Sequence, residues 1–259
     1  MDVIKHEIVD DRVIMGDGTD AQTWQHWQGL QQLPVLDIKT AFPKGRRVCI
    51  LAPHPDDEIL GCGGLIQQLV AQGNPIVIIA VTNGTASHAH STQYSASDLN
   101  DLRPQETKAA LHVLGVAEQV KRVALNLPDG QVYQQKNSLY LALEHIIQEH
   151  DILVATFAQD GHPDHEGTGK IAEKFARDHG LLCYQVLIWA WHWAVPNDAR
   201  IPWSRAQGLE LNLTEQQKKR DAMDCFKTQI EVDPTNLNPP ILSTHAIERI
   251  CQVGEVYIC

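Results

Sequence analysis

Residues 75–82 (Pro-Ile-Val-Ile-Ile-Ala-Val-Thr) and 151–157 (Asp-Ile-Leu-Val-Ala-Thr-Phe) are apolar at nearly every position. A strand with one solvated face alternates apolar and polar side chains. A run without alternation needs cover on both faces, which a parallel sheet between two helical layers provides. Two further apolar runs, 47–52 and 120–126, join them, and amphipathic stretches near 60–72, 103–114, 137–149 and 166–179 alternate with the four. The order βαβαβαβα predicts an α/β fold: a Rossmann-like doubly wound, mostly parallel sheet with helices on both faces, in a single domain. A chain of 259 residues can bury such a core without disulfides or a structural metal. Residues 1–45 do not share the alternation and are read as an N-terminal extension packed on a core domain spanning 46–259.

In doubly wound sheets ligands gather beyond the carboxyl ends of the strands, where the strand order reverses. All four apolar runs end in polar or turn residues: His54-Pro55-Asp56-Asp57-Glu58 after the first, Asn83-Gly84 after the second, Pro128-Asp129-Gly130 after the third, and His162-Pro163-Asp164-His165 after the fourth. A histidine and three carboxylates closing a strand have a purpose if they hold a divalent cation. Zinc in hydrolases takes three protein ligands of His or carboxylate type and leaves one position open. His54, Asp57 and one histidine of the pair 162/165 make that set, with Asp56 free to handle a water's proton. The remaining histidine, kept protonated by surrounding carboxylates, would stabilise an oxyanion or protonate a leaving amine. Pro55 stiffens the turn by fixing its own φ and restricting its neighbour. Glu58, Asp164 and Glu166 are the carboxylates expected to orient the ligating imidazoles.

Charge and composition narrow the partners. The 32 acids exceed the 21 Lys and Arg, a formal charge of -11, which argues against a nucleic-acid binder held by phosphate contacts. A small-molecule or glycoconjugate substrate fits better, and a homo-oligomer stays open. Cys49, Cys62, Cys183, Cys225, Cys251 and Cys259 are scattered and form no C-x-x-C pair, as expected of reduced core thiols. The stretch Met1 to Glu7 carries acids where a secretory leader carries cations. No segment approaches the roughly 18 apolar residues of a membrane span. A cytoplasmic protein without an integral membrane segment is therefore expected.

The run Pro53-His54-Pro55-Asp56-Asp57-Glu58, followed by Leu60-Gly61-Cys62-Gly63-Gly64 and later by His162-Pro163-Asp164-His165, resembles the PIG-L/LmbE-like zinc-dependent N-deacetylases over residues 47–230. The resemblance implies that His54, Asp57 and His165 bind one Zn2+ per chain, or another divalent metal, and that Asp56 is the general base. It makes His162 the charged partner of the tetrahedral intermediate, and Arg103 and Asp129 the residues that grip sugar hydroxyls. The reaction it implies is removal of an N-acetyl or similar acyl group from an amino sugar or glycoconjugate. One departure is visible: many relatives carry an aromatic residue shortly before the second motif, where this chain has Gln159-Asp160-Gly161.

Other readings compete with these. The carboxylates after His54 could simply cap a helix, and His162 and His165 could open one with Pro163 in its first turn. Gly61-Cys62-Gly63-Gly64 lacks the G-x-G-x-x-G spacing of a nucleotide loop and follows an acidic turn, so close helix packing suits it better. Trp189, Trp191 and Trp193 would share one face of a strand, as an aromatic wall or as core. His88 and His90 lie in a polar loop, 87–97, that could serve as a lid or add ligands. The rival functions are hydrolysis of a non-sugar N-acyl substrate and non-catalytic carbohydrate binding.

Overall fold

The computed structural model describes residues 11–235 and 238–259. The leader reading rests on residues outside that range, as do Asn236 and Leu237 of the Pro-rich tail. Three short helices, α1 (Ala21–Gln25), α2 (Gln28–Gln31) and α3 (Ile38–Ala41), precede the sheet. Then follow β1 (Val48–Ala52), α4 (Asp57–Gln72), β2 (Ile76–Ala80), α5 (Ala96–Leu114), β3 (Val120–Ala124), α6 (Lys136–Ile146), β4 (Ile152–Thr156), α7 (Pro163–His179) and β5 (Leu182–Val186). The chain closes with α8 (Ala190–Trp193), β6 (Ala206–Leu209), α9 (Leu213–Met223), α10 (Lys227–Ile230), α11 (Thr244–Val253) and β7 (Glu255–Ile258).

The sheet order is β3-β2-β1-β4-β5-β7-β6. β1 to β5 pair in parallel, and β7 runs antiparallel to both β5 and β6. The order reverses between β1 and β4, so the crevice of a doubly wound sheet opens where Ala52 and Thr156 end their strands. Alternate residues of each central strand serve opposite layers. Val48, Ile50, Ile76, Ile78 and Val154 pack with Leu65, Ile66 and Leu69 of α4 and with Leu111 and Leu114 of α5. Cys49, Leu51, Val77, Ile79 and Leu153 pack with Leu139 and Leu143 of α6 and with Phe175 and Ala176 of α7. Each fully buried Leu or Ile of this kind contributes about 1.5–3 kcal/mol. The two-faced burial explains why the strands lack alternation.

The glycines after the acidic turn have the packing role expected of them. A Cβ at Gly61 would lie 2.8 Å from Val186 Cγ1, and one at Gly64 would lie 2.4 Å from Leu211 Cδ2, so α4 sits against its neighbours too closely for any side chain.

Two local expectations change. α5 starts at Ala96 rather than near 103, because Ser95 and Asp98 form a capping box: the Ser95 hydroxyl accepts from Asp98 N and the Asp98 carboxylate accepts from Ser95 N. Arg103 is therefore in the body of the helix and only 2% exposed. The tryptophan run is also not a strand. β5 stops at Val186 and Ala190–Trp193 forms one helical turn, with Trp191 fully buried and Trp189 and Trp193 half-buried.

Residues 11–45 pack on this end of the sheet. Trp24 is buried edge-on to Trp191, with ring centroids 5.0 Å apart, and its indole N–H donates to Trp191 O at 2.9 Å. All six cysteines are unpaired thiols. No helix among the described residues is long and apolar enough to cross a membrane.

Candidate metal centre

After Ala52 the chain turns through His54, Pro55 and Asp56 and enters α4 at Asp57. Asp56 takes a φ of +139°, a conformation that costs a non-glycine residue about 1–3 kcal/mol. Its carboxylate makes no cap hydrogen bond to the helix it precedes, which sets aside the capping alternative for this residue. Arg103 Nη2 instead donates to Asp56 Oδ2 at 3.1 Å and to Pro55 O at 2.9 Å, while Nη1 donates to Gly84 O at 2.9 Å.

On the other side of the crevice, β4 leads through Asp160 and Gly161 to His162, the N-cap of α7. His162 Nδ1 accepts from Asp164 N at 3.2 Å, which puts the ring proton of the neutral imidazole on Nε2. His165 lies one turn further, fully buried.

The two segments meet at Asp57. Its Oδ2 lies 3.2 Å from His54 Nδ1 and 3.2 Å from His165 Nε2, and it also accepts from His54 N at 2.9 Å. His165 Nδ1 donates to Asp160 Oδ2 at 2.8 Å, which leaves the Nε2 lone pair facing Asp57. That Nε2 is buried and has no hydrogen-bond partner. His54 Nε2 faces Asp129 Oδ1 at 3.2 Å and Asp164 Oδ2 at 3.3 Å, so its proton belongs there and the Nδ1 lone pair is left free. A tetrahedral zinc with bonds of 2.0–2.1 Å needs ligand atoms about 3.3 Å apart. The spacing and the orphaned imidazole nitrogen both fit such an ion.

Among the described residues, two overlapping sets have all their donor atoms within 4.8 Å: His54, His162 and His165, and His54, Asp129 and Asp164. In the second set both Asp164 oxygens are engaged by backbone, accepting from Gly130 N at 2.7 Å and Val132 N at 3.0 Å. Asp129 Oδ2 accepts from Ala86 N at 2.7 Å. These two carboxylates therefore orient His54, and His54 and His165 of the first set, joined by Asp57, make the better cation site, since His162 keeps its proton on Nε2.

The local charges follow from burial and proximity in the metal-free chain. Burial pushes Asp57 up, but the His165 and His54 imidazoles outweigh it and hold the carboxyl well below its usual range. Burial works against a charged His165, yet Asp57 and Asp160 overcome it and raise the imidazole to about 9. His54 is likewise raised, by Asp129, Asp164 and Asp57 against burial. Burial, helped by the charge of Asp57 and opposed by Arg103, pushes Asp56 up to about 8. His162 moves the other way: burial and the two neighbouring imidazoles hold it well below an ordinary histidine. In the metal-free chain this runs against the expectation of a charged His162: burial first, and then the basic His54 and His165 beside it, favour the neutral imidazole.

The carboxylates also change places. Of the three expected to orient imidazoles only Asp164 does so. Glu58 accepts from Thr107 Oγ1 at 2.8 Å and Asp56 N at 3.2 Å, and Glu166 pairs with Arg12 at 2.7 Å and Lys170 at 2.9 Å. Asp160 takes the role at His165 and also accepts from the amides of Ile188, Trp189 and Ala190, which starts the turn of α8. Its sequence signal is a carboxylate five residues before His165, inside the stretch where many relatives carry an aromatic residue. Arg103 and Asp129 both border the site, engaged as described with Asp56 and His54. His88 pairs with Ser87 Oγ at 2.9 Å and faces the Tyr94 ring; neither it nor His90 joins a donor set among the described residues.

Residues 49–176, which include both motifs, match the PIG-L family, described as GlcNAc-PI de-N-acetylase. The similarity to the PIG-L/LmbE-like family thus covers about half of the chain. An uncharacterized deacetylase of Escherichia coli, YaiS, is 33% identical over 116 residues, covering 44% of this chain and 56% of that protein. The diacetylchitobiose deacetylase of Thermococcus kodakarensis is 29% identical over 143 residues, covering 53% and 52%. The chain thus spans about half the length of the curated relatives it matches. Among solved structures, the N,N'-diacetylchitobiose deacetylase of Pyrococcus horikoshii superposes with a TM-score of 0.53 at 21% identity, covering 76% of this chain and 73% of that one, a likeness of fold. The PIG-L/LmbE-like fold and the acidic strand end of β1 therefore coincide in one chain.

Proposed function

We propose that this chain is a metal-dependent hydrolase that removes an N-acetyl or similar acyl group from an amino sugar or glycoconjugate. The observation that carries the reading is the placement of Asp57 Oδ2 at 3.2 Å from two imidazole nitrogens that come from different strand ends. Relatives named as deacetylases of acetylated sugars support the substrate class.

His54, Asp57 and His165 would hold one divalent cation, zinc by the chemistry of two imidazoles and a carboxylate. Bound there, it supplies Lewis acidity, polarising an amide carbonyl and making water acidic enough to attack at neutral pH. Asp56 takes the proton. Arg103 anchors its Oδ2, so Oδ1 is the atom left to receive it. With Oδ1 free, the carboxylate can accept a proton in the first step and return it to the departing amine in the second. His162, whose Nδ1 accepts from Asp164 N and so keeps a proton on Nε2, donates a hydrogen bond to the carbonyl oxygen as negative charge grows there. Of the two residues expected to grip sugar hydroxyls, Asp129 keeps Oδ1 at the site beside His54. Arg103, with both Nη groups committed, serves the substrate through Asp56. Six unpaired thiols suit a reducing compartment, in keeping with the cytoplasmic location expected.

The test is acetate release by zinc-loaded protein across a panel of N-acetylated chito-oligosaccharides and N-acetylated amines without a sugar. Sugar-dependent release supports the reading, and equal turnover of the plain amides would replace it. Asp56→Asn should keep the metal and lose about 10²–10⁴-fold in turnover; full activity in that variant removes Asp56 as the base.

A further inference from the structure

Arg12 lies outside the stretch 49–176 that matches the family, yet it reaches the loop that carries the second motif. Its Nη1 pairs with Glu166 Oε1 at 2.7 Å, with the two side chains only 9% and 3% exposed. The same Glu166 oxygen accepts from Gly161 N at 3.3 Å. The Arg12 guanidinium also lies over the Trp193 ring, 5.9 Å from its centroid, and Trp193 Nε1 donates to Asp160 O at 2.8 Å. The segment 160–166 thus has two supports, the Glu166 carboxylate and the Trp193 indole, and one side chain from the N-terminal region touches both.

Between those supports stand Asp160, which orients His165, and His162 and His165 themselves. We propose that Arg12 is a positioning residue for the metal centre, acting through Glu166 and Trp193 to hold the 160–166 loop in its ligating geometry. The inference rests on the metal-site reading above. The N-terminal region then completes the site rather than merely covering the sheet. A buried carboxylate that loses its cation seeks other donors, and Glu166 would pull on Gly161 N and turn toward Lys170, displacing the loop. Lys170 does not substitute for Arg12, because it is half-exposed and bonds the other oxygen, Oε2, at 2.9 Å.

The experiment measures zinc affinity by competition with a chromophoric chelator, together with the thermal melting of each metal-free variant. Arg12→Met should weaken zinc about tenfold, in the range lost when groups that orient metal ligands are removed. It should also shift the visible spectrum of the cobalt-substituted protein. Arg12→Lys should recover most of the affinity. The double variant Arg12→Met/Glu166→Gln should lose no more than the worse single variant, since the two act in series, and Lys170→Met should match the parent. Zinc affinity within twofold of the parent in Arg12→Met would overturn the inference, as would additive losses in the double variant. A parent protein that binds no zinc would instead overturn the metal-site reading, and this inference with it.

Discussion

Asp160 offers the sharpest test of how the site is held. Its Oδ1 accepts from Ile188 N at 3.1 Å and Ala190 N at 2.9 Å, and its Oδ2 from Trp189 N at 2.9 Å and His165 Nδ1 at 2.8 Å. The residue is fully buried, so water cannot replace a lost partner. Asp160→Asn keeps the shape but supplies one acceptor oxygen, and its NH2 must face two of the four donors. If the NH2 faces Ile188 and Ala190, two amides of the α8 turn are orphaned. If it faces His165, the imidazole must move its proton to Nε2, the nitrogen that would otherwise bind metal. Hydrogen bonds to charged groups contribute about 1.5–3 kcal/mol each, so two lost bonds destabilise the metal-free protein by about 3–6 kcal/mol. For a chain of this size that lowers Tm by about 6–24 °C. Zinc affinity should fall about 10–100-fold as well. Urea denaturation of the metal-free variant and chelator competition read the two effects separately. A stability within about 1 kcal/mol of the parent, with unchanged zinc affinity, would refute the reasoning.

Three further outcomes follow from the same geometry. In the metal-free protein the facing carboxylates, against burial, raise both His54 and His165, the latter to about 9, so both carry a proton at pH 7. Zinc must displace those protons, so its affinity should fall as pH drops below 9, with about two protons released per ion at pH 7; calorimetry in buffers of different ionisation enthalpy checks this, and no release would contradict it. Gly169→Ala would place a Cβ 2.3 Å from Thr156 O and 2.9 Å from Ala158 N, backbone atoms at the end of β4 and just beyond it. Overpacking against backbone should cost about 3 kcal/mol or more by urea denaturation, and a neutral substitution would show that α7 can shift. Burial pushes the Cys49 thiol up to about 12, so it should resist a thiol reagent at pH 7 in the native protein and react only in urea; rapid native labelling would contradict the burial.

The central strands were legible because burial on both faces leaves a direct trace, an apolar run such as Ile76–Ala80, and helices must intervene between parallel neighbours. The antiparallel edge was not. β6 and β7 are four residues each, and β7 finds β5 and β6 only through the finished fold. The run from Leu181 to Ala194 hid a change from strand to helix, since the group that starts the α8 turn, Asp160, lies 28 to 30 residues away from the amides it receives. The convergence of His54 and Asp57 with His162 and His165 could be anticipated from the strand ends that carry them. Protonation could not: burial and the neighbouring His54 and His165, which only the fold brings together, hold His162 below an ordinary histidine. The amphipathic stretch near 103–114 gives no sign of the capping box at Ser95, which begins the helix earlier and leaves Arg103 in its body, with the guanidinium buried against Asp56.

The central claim is that His54, Asp57 and His165 hold one cation together. A crystal of the protein grown with zinc, with diffraction recorded on both sides of the zinc absorption edge, tests it most directly. The account predicts one anomalous peak within bonding distance of His54 Nδ1, Asp57 Oδ2 and His165 Nε2, with Asp56 beside it and unligated. A peak among His54, Asp129 and Asp164 instead, or no peak at this strand switch point, would contradict it.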